Sequence, residues 1–184
     1  MTLEYHRRFF GDVRLAIVLI TALFVIGFWE VPAAFLLIPV IALYTAVQTA
    51  FDASYLIFAR QYASRLEQYL NERTDQNLHV GAAMEETYLF PLDKRKIVTA
   101  AGGRSFTWFG FVTLFYTALG VAAAGFGAAL GYVDFLQLQP GNWDTAYFGI
   151  LGILGLAALA IGVWWFVGGE GERRLREALS TFSA

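Results

Sequence analysis

Tyr44, Gln48 and Asp52 stand four residues apart, so on a helix they stack along one face. A hydroxyl, a carboxamide and a carboxylate in that order form a polar track suited to a proton or a cation. A carboxylate near the hydrocarbon of a bilayer is costly, and it marks either such a path or a structural hydrogen bond. The structural reading is preferred here, because none of the apolar segments identified below contains a carboxylate to pair with Asp52. On that reading Asp52 lies at headgroup depth and bonds to Tyr55, to Arg60 or Arg104, or to water.

The rest of the chemical inventory is short. Cysteine is absent, which excludes disulfides, thiolate metal sites and cysteine nucleophiles. His6 and His79 lie far apart and outside every apolar run, so a histidine-held metal is not expected. No HExxH, GxSxG or CxxC pattern occurs, and catalysis needs convergent groups of that kind. The AAGGRS stretch lacks the pattern of a phosphate loop. Neither an enzyme nor a cofactor is expected, and the basic residues are too few and too interspersed with acids for nucleic acid.

The elements that position these residues follow from hydropathy. Of 184 residues 58% are hydrophobic and 15% charged, and mean hydropathy is +0.54, too apolar for an ordinary soluble domain. Four segments meet or approach the ~20 apolar residues that cross a bilayer: 13–29, 33–51, 106–131 and 145–167. The first is longer than the apolar region of a signal peptide and reads as a permanent anchor. Pro39, inside the second, is tolerated in a membrane helix but is able to kink it. The expected fold is an all-α integral membrane protein, one four-transmembrane-helix bundle over residues 1–184.

Charge orients the bundle. All 13 Lys and Arg residues fall at the start of span 1, between spans 2 and 3, or after span 4, whereas the two short loops hold only Glu30, Asp134 and Asp144. Positive residues gather on the cytoplasmic side, so both termini and the middle segment 52–105 are expected there. Trp29, Tyr132, Trp143 and Tyr147 mark the outer interface; Phe9, Phe10, Trp108, Trp164 and Trp165 mark the inner one. The Arg, Ala and Gly bias suits a GC-rich bacterial genome and hence a bacterial inner membrane.

Span 2 meets no Gly or Pro at its cytoplasmic end, and the pattern predicts that it continues as an amphipathic helix from Tyr55 to Glu72. Thr45, Gln48, Asp52, Tyr55, Ala59, Tyr62, Leu66 and Tyr69 follow one seam of alternating three- and four-residue steps. Leu56, Ala63 and Leu70 flank it; Arg60, Gln61, Ser64, Glu67, Gln68 and Asn71 lie opposite. A 3.5-residue period favours helix pairing with another subunit, ahead of a segment of the same chain or the bilayer surface. Gly127 and Gly131 on span 3, with Gly152 and Gly155 on span 4, have the spacing of close helix contacts and predict that spans 3 and 4 pack together.

Beyond Thr74 a short helix is expected over 82–89, ended by Pro91, and the cluster Asp93 to Lys96 is basic enough to touch anionic lipid. After span 4, Leu175, Leu179 and Phe182 share a helical face. The function expected is a non-catalytic membrane scaffold or assembly subunit, a homo-oligomer in the lipid bilayer that uses its cytoplasmic helix to bind copies of itself or a soluble partner. The runner-up is a small oligomeric channel or transporter lined by Gln48 and Asp52.

Overall fold

The computed structural model describes residues 2–74, 108–138 and 142–181. Of these, 96% are helical. An apolar layer offers no water to backbone N–H and C=O groups, and a helix satisfies them within the segment. In order the elements are α1 (Thr2–Trp29), a 3₁₀ turn (Pro32–Leu36), α2 (Leu37–Thr74), α3 (Trp108–Leu138), α4 (Trp143–Gly162), a π-helical turn (Val163–Val167) and α5 (Glu170–Thr181). Four stretches are long and apolar enough to cross a membrane: Phe10–Trp29, Pro32–Arg73, Leu114–Asp134 and Trp143–Phe166. The expected helix over 82–89 and the basic cluster 93–96 lie outside the described residues, as do Arg104 and Phe182.

The chain divides into two compact units. One comprises residues 7–51 and 116–161; the described part of the other comprises 2–6, 52–74, 108–115 and 162–181.

In the first unit the chain turns after Trp29 and re-enters through the 3₁₀ turn. Pro39 falls in the first turn of α2, where its missing N–H removes no bond the helix would otherwise make. The 3₁₀ turn passes directly into α2, with Leu37 in the helical region at φ −76° and ψ −23°. Ile38 is fully buried and Phe35 nearly so. Three other helices meet this short stretch. Gly27 of α1 faces the Phe35 ring, where an added Cβ would come within 2.5 Å of it. Gly127 and Gly131 of α3 face Ile38 and Leu36, where an added Cβ would lie 2.8 and 2.7 Å away. From α4 the Tyr147 hydroxyl donates to the Leu36 carbonyl oxygen. Phe24, Phe28, Phe35 and Phe126 close the cluster, with Phe28 edge-on to Phe35 at 4.9 Å between ring centroids.

This corrects the glycine expectation. Gly127 and Gly131 are contact glycines, but what fills their notches is the entry to α2. Nothing lies within 4 Å of the Cβ position at Gly152 or Gly155. A missing side chain allows close approach without requiring it, and the bulky Leu36 and Ile38 complement α3 better than a second glycine face would.

In the second unit α4 gives way to the π turn, in which the Gly168 N–H reaches back five residues to the Val163 carbonyl at 2.8 Å. A Cβ at Gly168 would strike the Trp164 carbonyl oxygen. Gly169 follows at φ 77°, a left-handed conformation that suits glycine and redirects the chain into α5. Glu170 opens α5 and holds Arg173 at 2.7 Å and Arg174 at 2.8 Å. These bonds, Arg173 first, draw its carboxyl below the ordinary value. Arg174 also lies over the Trp165 ring at 5.7 Å, and Leu175 is buried. The Leu179 side chain lies outside the described residues.

Candidate helix-pairing surface

The 38 residues of α2 form one uninterrupted helix, about 57 Å long at 1.5 Å per residue. The hydrocarbon core of a bilayer is about 30 Å thick, so close to half of this helix exceeds what a span needs. The side chains of residues 52–73 are sorted by face. Asp52, Leu56 and Ser64 are buried, whereas Tyr55, Phe58, Tyr62, Leu66, Tyr69 and Leu70 are exposed. Tyr62, Leu66 and Tyr69 keep 53%, 46% and 50% of their surface open.

Two contacts within the helix order this aromatic face. The Phe58 and Tyr62 rings stack, their planes 12° apart and their centroids 6.4 Å apart. In the last turn of the helix the Arg73 guanidinium lies 5.0 Å from the centre of the Tyr69 ring, and its charge also suits the negative end of the helix dipole. The rings are therefore held along the helix, so covering them costs little further side-chain freedom.

Of the expected seam, Tyr55, Tyr62, Leu66 and Tyr69 lie on the open face and Ala59 at its half-covered margin. Upstream the open face departs from it. Val40, Tyr44, Val47 and Phe51 are exposed, Gln48 is half-buried and Asp52 is 7% exposed. Tyr44 is 70% exposed, whereas Asp52 is buried. Thr45 and Thr49 turn their hydroxyls onto carbonyls of the preceding turn, at Ile41 and Thr45, both at 2.8 Å. The side expected to meet water is also partly covered within the chain, since Ser64 is buried and Gln61, Glu67 and Asn71 are half-buried.

Phe58 belongs to the surface and is absent from the expected seam. Its signal was the seven-residue recurrence of Tyr44, Phe51 and Phe58, parallel to that of Tyr55, Tyr62 and Tyr69. Among the described residues no group of three or more His, Asp or Glu side chains is placed to hold a metal. Comparison with family models, with curated proteins and with solved structures finds no match.

Proposed function

We propose that this protein is a non-catalytic membrane scaffold or assembly subunit, built as a four-helix bundle in a bacterial inner membrane with both termini cytoplasmic. The excess half of α2 continues past the bilayer on the cytoplasmic side and binds copies of the same chain or a soluble partner. The observation that carries this reading is the open face of Phe58, Tyr62, Leu66 and Tyr69 on the part of α2 that a bilayer does not need to enclose. Large apolar side chains left in water on a contiguous face mark an interaction site.

The test measures the mass of the purified complex in mild detergent for the parent, Leu66→Glu and Gln68→Glu. Both substitutions add the same charge to the same helix, but Leu66 lies on the open apolar face and Gln68 on the polar side. A carboxylate pressed against an apolar partner is strongly unfavourable, so Leu66→Glu is expected to lose subunits or partner and Gln68→Glu to keep them. Equal masses for all three proteins would remove this function for the α2 face.

A further inference from the structure

We infer that Arg173 and Arg174, in the first turns of α5, form a binding site for the phosphate of a phospholipid headgroup. The inference is independent of the assembly reading above and needs only that the stretch Trp143–Phe166 crosses a membrane.

Chain connectivity gives the first argument. The apolar stretch ends at Phe166 and α5 begins at Glu170, so at most about 14 Å of chain separates the two. The headgroup layer extends about 5–7 Å beyond the hydrocarbon, and Trp164 and Trp165, at the end of the stretch, are residues of the kind that sits in it. Arginines in the first turns of α5 have stems long enough to reach that layer. The tether therefore holds their guanidinium groups beside lipid phosphates.

The geometry of the pair gives the second. Glu170 and Leu175 are buried, whereas the side chains of Arg173 and Arg174 are 64% and 60% open. Each guanidinium is anchored through one nitrogen, since Nη2 of Arg173 and Nε of Arg174 both donate to Oε1 of Glu170. Arg174 is held a second time by the Trp165 ring, 5.7 Å away, and the Trp165 indole is itself fixed on Ser54. Both Nη atoms of Arg174 are left over from these contacts. Together they are the planar fork that matches two phosphate oxygens. Because the fork is held in place, binding has little side-chain freedom left to remove.

Charge narrows the seat to Arg174. Two guanidinium groups and the Glu170 carboxylate leave one positive charge, and Glu177 acts on Arg173. These four groups together are neutral. What favours phosphate is thus the directed fork of Arg174, and a point charge in its place would be a poor substitute.

The test uses the full chain purified in a neutral detergent, with phosphatidylglycerol titrated into the micelles and bound lipid counted by native mass spectrometry. Arg174→Gln is expected to raise the half-saturating lipid for the first site about tenfold, as the loss of a charge-assisted hydrogen bond implies. Arg174→Lys keeps the charge without the fork and should fall between the parent and Arg174→Gln. If Arg174→Gln does not fold, Arg174→Lys carries the comparison. Arg65→Gln, which removes a basic residue of α2, should bind as the parent does. Unchanged binding in Arg174→Gln, or an equal loss in Arg65→Gln, would overturn the site. Parent-like binding in Arg174→Lys would also overturn it, because charge alone would then suffice. Inorganic phosphate in excess, compared with chloride at the same ionic strength, should leave the bound lipid in place. Displacement of the lipid by inorganic phosphate would make the ligand a soluble anion and sink the lipid assignment.

Discussion

The indole Nε1 of Trp165 donates to the hydroxyl of Ser54 over 3.1 Å, joining residues 111 positions apart in sequence. The same indole lies against Gly171, where a Cβ would come within 2.8 Å of Nε1, and beneath the guanidinium of Arg174. One ring thereby ties the π turn to α2 on one side and to α5 on the other. A hydrogen bond in this setting is worth about 0.6 kcal/mol on average, and at most about 1.7 kcal/mol.

Trp165→Phe and Ser54→Ala are therefore each expected to lower the unfolding free energy in detergent by about 0.5–1.5 kcal/mol. Trp165→Phe should cost more, because it also removes part of the surface beneath Arg174. Because the two residues share one bond, the double variant should lose less than the sum of the singles. Strict additivity in that cycle would show that the bond contributes nothing to stability.

The glycines separate in the same assay. Gly127→Val and Gly131→Val would drive a side chain into Ile38 and Leu36 and are expected to cost about 1–3 kcal/mol or to prevent assembly of the helices. Gly152→Ala and Gly155→Ala meet open space and should be neutral or slightly stabilising, since alanine favours a helix by up to about 1 kcal/mol over glycine. Loss of oligomer mass in Gly152→Ala without loss of thermal stability would instead place a second copy against α4.

The sequence made some of this arrangement legible and concealed the rest for physical reasons. The four apolar stretches were plain because bilayer thickness fixes their length. Tyr62, Leu66 and Tyr69 could be placed on a common face from spacing alone, because consecutive helical positions have fixed angular offsets. Thr45, Gln48 and Asp52 were joined to that face by extending a 3.5-residue seam upstream, where the 3.6-residue helix had already turned away from it. The open face there runs through Tyr44, Val47 and Phe51 instead. The partners of Gly127 and Gly131 were hidden because a small residue shows where a backbone is able to approach and not what fills the space. The Ser54–Trp165 bond left no local signal, as neither residue is unusual beside its own neighbours.

Glu170 predicts a pH dependence. Its hydrogen bonds from Arg173 and Arg174 draw the folded-state pKa below the ordinary 4.5, so folding favours the carboxylate. The contribution is complete above the unfolded-state value and is lost as pH falls through the lowered folded-state value. Between about pH 6 and about pH 3 the parent should therefore lose more stability than Glu170→Gln, which is neutral throughout. Thermal melts of both proteins across that range check it, and parallel curves would show that the Arg173 and Arg174 contacts do not couple to folding.

Asp52 separates scaffold from channel. It is buried on α2, and Asp52→Asn keeps hydrogen-bonding capacity while removing the charge. A structural carboxylate predicts unchanged oligomer mass and no change in liposome ion flux. A carboxylate that carries protons or cations predicts flux in the parent and its loss in the variant, with the protein still intact. The second result would replace the scaffold by a channel.

Orientation is open to a direct check, and the whole assignment of α2 to the cytoplasmic side depends on it. The motive is the segregation of all 13 Lys and Arg residues to the ends and the middle segment, with only the acidic Glu30, Asp134 and Asp144 charged at the opposite ends of the helices. Basic residues near a span resist export while acidic ones matter little, so this distribution predicts an inward N-terminus, an inward C-terminus and an outward turn between α3 and α4. Thr2→Cys, Gln137→Cys and Ser180→Cys, each in the naturally cysteine-free chain, provide one label site per location. In intact cells an impermeant maleimide should modify only Gln137→Cys, and permeabilised cells should add the other two. Labelling of Thr2→Cys and Ser180→Cys in intact cells, with Gln137→Cys protected, would invert the protein and put the aromatic face of α2 outside the cell, where a cytoplasmic partner could not reach it.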